Sequence, residues 1–191
     1  MTKSVNGLKR EYQNVRFRID VPVLDIGGGD GSFLQSQNVK KATIIDATRD
    51  KGNIYDYINA DLTKKLPELK SRFKTIFIME TLEHLENPLY LLSQTYDILD
   101  PDGRCYISIP YTPIGGDSIH VCRWKLKEII NQLKKIGFRI RIIEKRRRFK
   151  GLAFFLPHCW LVLELTKKKT SSNNPNIKSF HLDFNNEKNI N

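Results

Sequence analysis

The residues best placed to do chemistry lie in one short run, 23–34, which reads Val-Leu-Asp-Ile-Gly-Gly-Gly-Asp-Gly-Ser-Phe-Leu. An aliphatic segment carrying Asp25 ends in Gly27, Gly28, Gly29 and Gly31, and the chain then turns apolar in a helix-like way. Glycines at such a point let backbone approach a ligand that a Cβ would hold off; read structurally, the same run is a strand-to-helix turn. The dinucleotide fingerprint G-x-G-x-x-G, started at Gly27, would need glycine where Ser32 stands, and no Gly-Lys-Ser/Thr follows for a phosphate-binding P-loop. Nineteen residues after Gly27, Thr43-Ile44-Ile45-Asp46 places a carboxylate at the end of the next apolar run. There it could accept hydrogen bonds from both hydroxyls of a ribose and would repel a 2′-phosphate; alternatively it caps a helix.

These residues need elements to hold them. Short β-rich runs at 21–26, 42–46, 75–79, 104–109, 139–145 and 160–166 alternate with helical stretches at 32–37, 88–99 and 125–136. That alternation predicts βαβ units, and so an α/β, Rossmann-like three-layer sandwich with a mostly parallel sheet and an antiparallel last strand. Leu126, Ile129, Ile130, Leu133 and Ile136 recur at helical spacing and are read as core, with Gly137 as the helix C-cap. Asp100-Pro101-Asp102-Gly103 reads as a turn in which proline presets φ and glycine tolerates positive φ. Residues 1–20 are expected to form a loose arm or one helix against the sheet, 21–167 the domain, and 168–191, rich in Lys, Ser and Asn, a disordered tail.

Four segments in order resemble class I S-adenosylmethionine-dependent methyltransferases. They are Asp25-x-Gly27-x-Gly29-x-Gly31, Asp46, the run Asn59-Ala60-Asp61-Leu62, and the segment from Phe77 through Glu80, Glu83 and His84 to Pro88. The resemblance implies S-adenosyl-L-methionine as cofactor, with Asp25, Gly27, Gly28, Gly29 and Gly31 in the loop and Asp46 on the ribose. It also places Asp61 and Leu62 by the adenine and Glu80 where the chain passes beneath the sulfonium. Asp61 read alone is a turn cap. The run from Ile98 to Pro110 is similar to the family's fifth-strand start, usually Leu-Lys-Pro-Gly-Gly, but has Asp100 for the basic residue and Asp102 for the first glycine. A backbone contact there is therefore not carried over.

Methyl transfer is an in-line displacement in which the protein mainly supplies position. His84 and His120, both expected on the carboxyl side of strands, are the candidate general bases, each with a structural alternative. Glu80, Glu83 and His84 form E-x-x-E-H, positions that share one face of a helical turn. The pattern resembles the metal-binding segment of ubiquinone-pathway and small-RNA 2′-O-methyltransferases, yet related enzymes carry it without a metal, and none is assigned. No Asn-Pro-Pro-Tyr-type motif follows the fourth strand, which favours an oxygen acceptor on a small molecule, glycan or lipid-linked precursor over adenine or amide nitrogen.

The formal net charge of +11 invites an anionic surface or RNA, and much of it is clustered at 139–150. The stretch 146–160 adds aromatics to the cations and reads as an acceptor lid, an interfacial membrane contact, an RNA surface, or a core-packed hairpin. Cys105, Cys122 and Cys159 show no Cys-x-x-Cys spacing, which excludes a zinc ribbon and points to a reducing cytoplasm. Neither a secretory leader nor a transmembrane segment is expected. Three functions follow: a methyltransferase for a small-molecule or lipid-linked acceptor, an RNA 2′-O-methyltransferase, and a non-enzymatic binding module. The short amino-terminal region lends weight to the last, or to a homodimer whose partner could supply the missing pocket wall.

Overall fold

The computed structural model describes residues 12, 14–48, 54–111, 126–148 and 158–168. Seven strands form one sheet: β1 (Val23–Ile26), β2 (Thr43–Asp46), β3 (Asp56–Asn59), β4 (Phe73–Ile78), β5 (Leu99–Tyr111), β6 (Phe138–Arg148) and β7 (His158–Lys167). Their order is β3-β2-β1-β4-β5-β7-β6. The first five run parallel, and β7 lies antiparallel between β5 and β6. The helices are α1 (Ser32–Ser36), α2 (Pro88–Ile98) and α3 (Leu126–Ile136), with one 3-10 turn at Leu82–His84. Among the described residues no helix is long and apolar enough to cross a membrane.

The order explains the sequence pattern. β1 and β4 are central and almost wholly buried, because both of their faces are covered; apart from Asp25 in β1 and Lys74 and Thr75 in β4 their residues are apolar. β3 escaped the sequence reading: Asp56-Tyr57-Ile58-Asn59 is an edge strand without buried residues, recognisable only through its pairing with β2. α2 starts where the sequence places it, with Pro88 in its first turn and the Asn87 side chain accepting from Tyr90 N at 3.2 Å. α3 buries Ile129 and Leu133 against the sheet and stops at Gly137, whose φ of 117° a residue with a Cβ rarely adopts.

Two expectations change. The 100–103 segment is a bulge inside β5: Leu99 pairs with Phe73 and Arg104 with Thr75, so the intervening residues loop out of the ladder. Gly103 is required there by crowding, since a Cβ would lie 2.9 Å from the Phe73 carbonyl oxygen; it is not among the positive-φ glycines. Residues 14–20, expected as a loose arm or helix, form an extended strap across one face of the sheet. Val15, Phe17 and Ile19 turn inward and Arg16 and Arg18 outward, a period-2 alternation present in the sequence Val-Arg-Phe-Arg-Ile.

The strap seals a core of its own. Phe17 packs edge-on against Phe33, Phe77 and Tyr106, and Phe33 edge-on against Phe77, with centroids 5.0–5.8 Å apart. The strap's backbone is fixed at two points. Arg18 N donates to Tyr106 Oη at 3.1 Å, and Asp20 N donates to Thr75 Oγ1, which donates back to the Asp20 carbonyl, both at 2.8 Å. On the opposite face α2 and α3 cover Leu24, Ile76, Ile107 and Leu163.

Candidate functional site

The carboxyl ends of β1, β2 and β4 meet where the strand order reverses direction, the place at which open α/β sheets bind ligands. The glycine loop between β1 and α1 makes a sharp exit there. Gly27, Gly29 and Gly31 hold φ of 77°, 52° and 73°, conformations that cost a side-chain-bearing residue energy. Gly27 is also pressed against Thr81, whose Oγ1 would lie 2.3 Å from a Cβ at position 27. Around Gly29, by contrast, a Cβ would meet nothing within 4 Å among the described residues, so its backbone faces open space there.

Asp25 lies beneath this loop, 1% exposed, and a Cβ on Gly28 would come within 2.6 Å of its Oδ2. Among the described residues that Oδ2 has no hydrogen-bond partner. Burial first, and the nearby Asp46 carboxylate second, push the carboxyl up from 3.8 to about 8. An orphaned buried acceptor under an open glycine loop is a polar cradle lacking its complement.

Asp46 is half-buried at the end of β2. Its Oδ2 accepts from Gly29 N at 2.9 Å, and its Oδ1 from Thr48 N at 2.9 Å and Thr48 Oγ1 at 3.1 Å. This arrangement fixes the carboxylate beside the loop, and each oxygen retains lone-pair capacity for a further donor. Ala60 N donates to the Asp46 carbonyl at 3.0 Å, so the end of β3 lies next to that of β2 and carries Asp61 to the same edge. Asp61 is exposed and caps a turn: it accepts from Thr63 Oγ1 at 2.6 Å and Thr63 N at 3.0 Å, and its other oxygen pairs with Lys64 at 3.4 Å. Those hydrogen bonds hold its carboxyl below the usual range. Leu62 beside it is half-buried against the core.

Glu80 follows β4 with a φ of 52°, unusual for a residue with a side chain. Its N–H donates to Ser108 Oγ at 2.7 Å, its Oε1 accepts from Ser108 Oγ at 3.1 Å, and the Tyr12 hydroxyl donates to the same oxygen. The strap therefore reaches the site through Tyr12. The E-x-x-E-H segment does not present a common face. Glu80 precedes the 3-10 turn in a left-handed conformation, Glu83 is buried and His84 is exposed, because a three-residue turn after a left-handed residue breaks the i, i+3, i+4 alignment. Among the described residues no three of His, Cys, Asp or Glu come together to hold a metal ion. His120 lies outside the described residues, as does the segment 149–157 of the basic-aromatic stretch.

Sequence reasoning missed Tyr12, Thr81 and Ser108. Thr81 has no linear signal, since its role is to fill the space left by Gly27. Ser108 carries a weak one, a fully buried hydroxyl within the apolar run Cys105-Tyr106-Ile107-Ser108-Ile109.

Residues 16–143 match a family described as methyltransferase domain. No curated protein sequence matches the chain. Among solved structures, the YcgJ protein of Bacillus subtilis superposes with a TM-score of 0.67 at 14% identity, covering 86% of this chain and 99% of that one. An S-adenosylmethionine-dependent methyltransferase of Thermotoga maritima gives 0.63 at 16% identity, covering 86% and 89%. A phosphoethanolamine N-methyltransferase of Haemonchus contortus, solved with phosphomonomethylethanolamine and S-adenosylhomocysteine, gives 0.62 at 16% identity, covering 86% and 53%. With the family match spanning the loop, Asp46 and the β4 segment, and the fold the same, the chain belongs to the class I S-adenosylmethionine-dependent methyltransferases.

Proposed function

We propose that this enzyme methylates an oxygen on a small-molecule, glycan or lipid-linked acceptor, and that the donor lies across the carboxyl ends of β1, β2 and β4. The observation that carries the placement is the pair formed by Asp46 and the open Gly29 backbone, a fixed carboxylate beside a loop that a ligand can approach closely. The residues fit the donor. Asp46 has the lone pairs to accept a ribose diol, and Asp61 and Leu62 stand at the neighbouring strand end for the adenine. Gly27, Gly28 and Gly29 leave room along the loop above the buried Asp25, and Asp46 and Glu80 supply negative charge on that side.

When bound, the donor supplies an electrophilic methyl on a sulfonium; the chain supplies position and charge. Tyr12 and Ser108 hold the Glu80 side chain in one orientation, so the acid is fixed before a ligand arrives rather than ordered by it. His84, exposed on the carboxyl side of the sheet, and His120 are the groups proposed to take the acceptor's proton. The oxygen preference is supported by the segment after β4, where Glu80-Thr81-Leu82-Glu83 stands in place of an Asn-Pro-Pro-Tyr type of motif. Cys105, a free thiol buried in β5, supports a reducing, cytoplasmic setting.

Isothermal titration with S-adenosylmethionine and S-adenosylhomocysteine tests the site. Wild type should bind both, and Asp46→Ala should lose at least about tenfold, the worth of one charge-assisted hydrogen bond. Wild-type protein that binds neither ligand refutes the reading, and an Asp46→Ala variant that binds as wild type does moves the ribose elsewhere.

A further inference from the structure

We propose that Tyr57 and Asn59 of the edge strand β3 are positioning residues for the donor's ribose: they clamp the turn after β2 and so fix the Asp46 carboxylate in the orientation that prefers a ribose to a 2′-deoxyribose. The inference rests on the methyl-transfer reading above, in which Asp46 accepts the ribose diol.

β3 pairs parallel with β2, with Tyr57 opposite Ile44 and Asn59 opposite Asp46. Positions two apart in a strand share a face, and the Tyr57 ring packs on the face sealed by the strap, so Asn59 lies on that face too. From there both side chains reach the chain beyond Asp46. Asn59 Nδ2 donates to the Ala47 carbonyl at 2.8 Å, and the Tyr57 hydroxyl donates to the Thr48 carbonyl. An extended chain, at about 3.3 Å per residue, would carry Thr48 roughly 13 Å past Ile44 and out of a tyrosine's reach. The chain after Asp46 therefore folds back toward the ring.

These two bonds act on the carboxylate through a rigid group. The peptide between Ala47 and Thr48 is planar, with its C=O and N–H pointing in opposite directions. Its oxygen accepts from Asn59 and its N–H donates to Asp46 Oδ1 at 2.9 Å, so Asn59, the peptide and the carboxylate form one chain of hydrogen bonds. Tyr57 holds the next peptide by its oxygen. With a peptide fixed on either side, Thr48 is set so that its Oγ1 also reaches Oδ1, at 3.1 Å.

The carboxylate needs such anchors, because the last torsion of an aspartate is soft and roughly two-fold. Gly29 N holds Oδ2 from the glycine loop at 2.9 Å, and the Thr48 turn holds Oδ1 from the other side. Fixed at both oxygens, the carboxylate plane is set before a ligand arrives, and the paired hydroxyls of a ribose meet two acceptors at a fixed spacing. β3 does not depend on these bonds to stay on the sheet. Four paired residues and the Tyr57 ring already hold it there, and hydrogen bonds made at exposed carbonyls past the end of β2 contribute little to stability.

Isothermal titration of S-adenosylhomocysteine and its 2′-deoxy counterpart into wild type, Tyr57→Phe/Asn59→Ala and Tyr55→Phe tests the clamp. Tyr55 is the matched control, since its hydroxyl also donates to a backbone carbonyl, that of Val39 before β2, at 2.9 Å. Wild type should prefer the ribose by about tenfold or more, the worth of one hydrogen bond to a charged acceptor. The double variant should bind S-adenosylhomocysteine about fivefold more weakly, the cost of ordering a side chain that wild type holds in place, while the deoxy ligand loses less than about twofold. Tyr55→Phe should keep the wild-type ratio. In the free double variant the Thr48 amide hydrogen should exchange several-fold faster, a readout that needs no ligand. Tyr57→Phe alone keeps the ring in the core and carries the same comparison where the double variant does not fold. The inference is overturned if the double variant binds S-adenosylhomocysteine as wild type does, if it weakens both ligands equally, if Thr48 exchange is unchanged, or if Tyr55→Phe lowers the preference as far. Wild type that binds S-adenosylhomocysteine without preferring the hydroxyl also overturns it, whereas wild type that binds neither ligand refutes the methyl-transfer reading and this inference with it.

Discussion

Replacing Asp25 by Asn should remove a pH dependence of stability that the fold builds into the glycine loop. Asp25 is 1% exposed, and its carboxyl is raised from 3.8 to about 8, by burial first and by the Asp46 carboxylate second. Because folding raises this value, the folded chain keeps its proton over a range in which the unfolded chain has lost it. Between about pH 4 and pH 8 the folded state binds more protons, so stability is highest below that window and falls as pH rises through it. Each unit is worth about 1.4 kcal/mol, and the full span of roughly four units amounts to at most about 6 kcal/mol. Asn has nearly the shape of the neutral acid and does not titrate. Urea unfolding of wild type and Asp25→Asn at several pH values, subtracted pairwise, cancels the titrating groups that are not coupled to Asp25. The difference should start near a constant offset at pH 4, climb in favour of the variant by about 1.4 kcal/mol per unit, and level off above pH 8. A difference that stays flat from pH 5 to pH 8 would show that Asp25 ionises normally, and the reasoning from its orphaned, buried oxygen would fail.

Gly28→Ala should cost about 1–3 kcal/mol and most of the affinity for S-adenosylhomocysteine, because its Cβ meets a short, buried Asp25 side chain 2.6 Å away; a thermal melt and a titration that both match wild type would contradict this. Arg141→Met leaves the Glu164 carboxylate, 8% exposed, without its two-pronged partner. Since the arginine side chain is itself 69% exposed, the expected loss is only about 1–2 kcal/mol in urea unfolding, and adding Glu164→Gln should restore most of it. Tyr12→Phe keeps the ring against Phe33 but removes the donor to Glu80. It should lower stability by about 1 kcal/mol and raise KM for the methyl donor several-fold with kcat little changed, and an unaltered KM would disconnect the strap from the site.

The parts of the fold governed by local rules are legible in the residue pattern. The alternation of apolar runs with helical periods specified the α/β class and six of the seven strands, because strands that face the core must be largely apolar. The spacing from Gly27 to Asp46 placed a loop and a carboxylate at adjacent strand ends, because one βαβ unit has a fixed length. The V-R-F-R-I alternation of the strap was also present, but nothing local says which surface it covers. Tertiary structure alone decided the rest. The short, polar β3 exists by pairing with β2, and the 100–103 segment is a bulge because Phe73 and Thr75 set the ladder on either side of it. Glu80, Glu83 and His84 fail to share a face because a left-handed residue precedes a 3-10 turn. Tyr12, Thr81 and Ser108 belong to the site through contacts spanning 28 to 68 residues of sequence. Those contacts depend on where strands fall in the sheet, and strand order is fixed by packing the whole core, which no window of sequence contains.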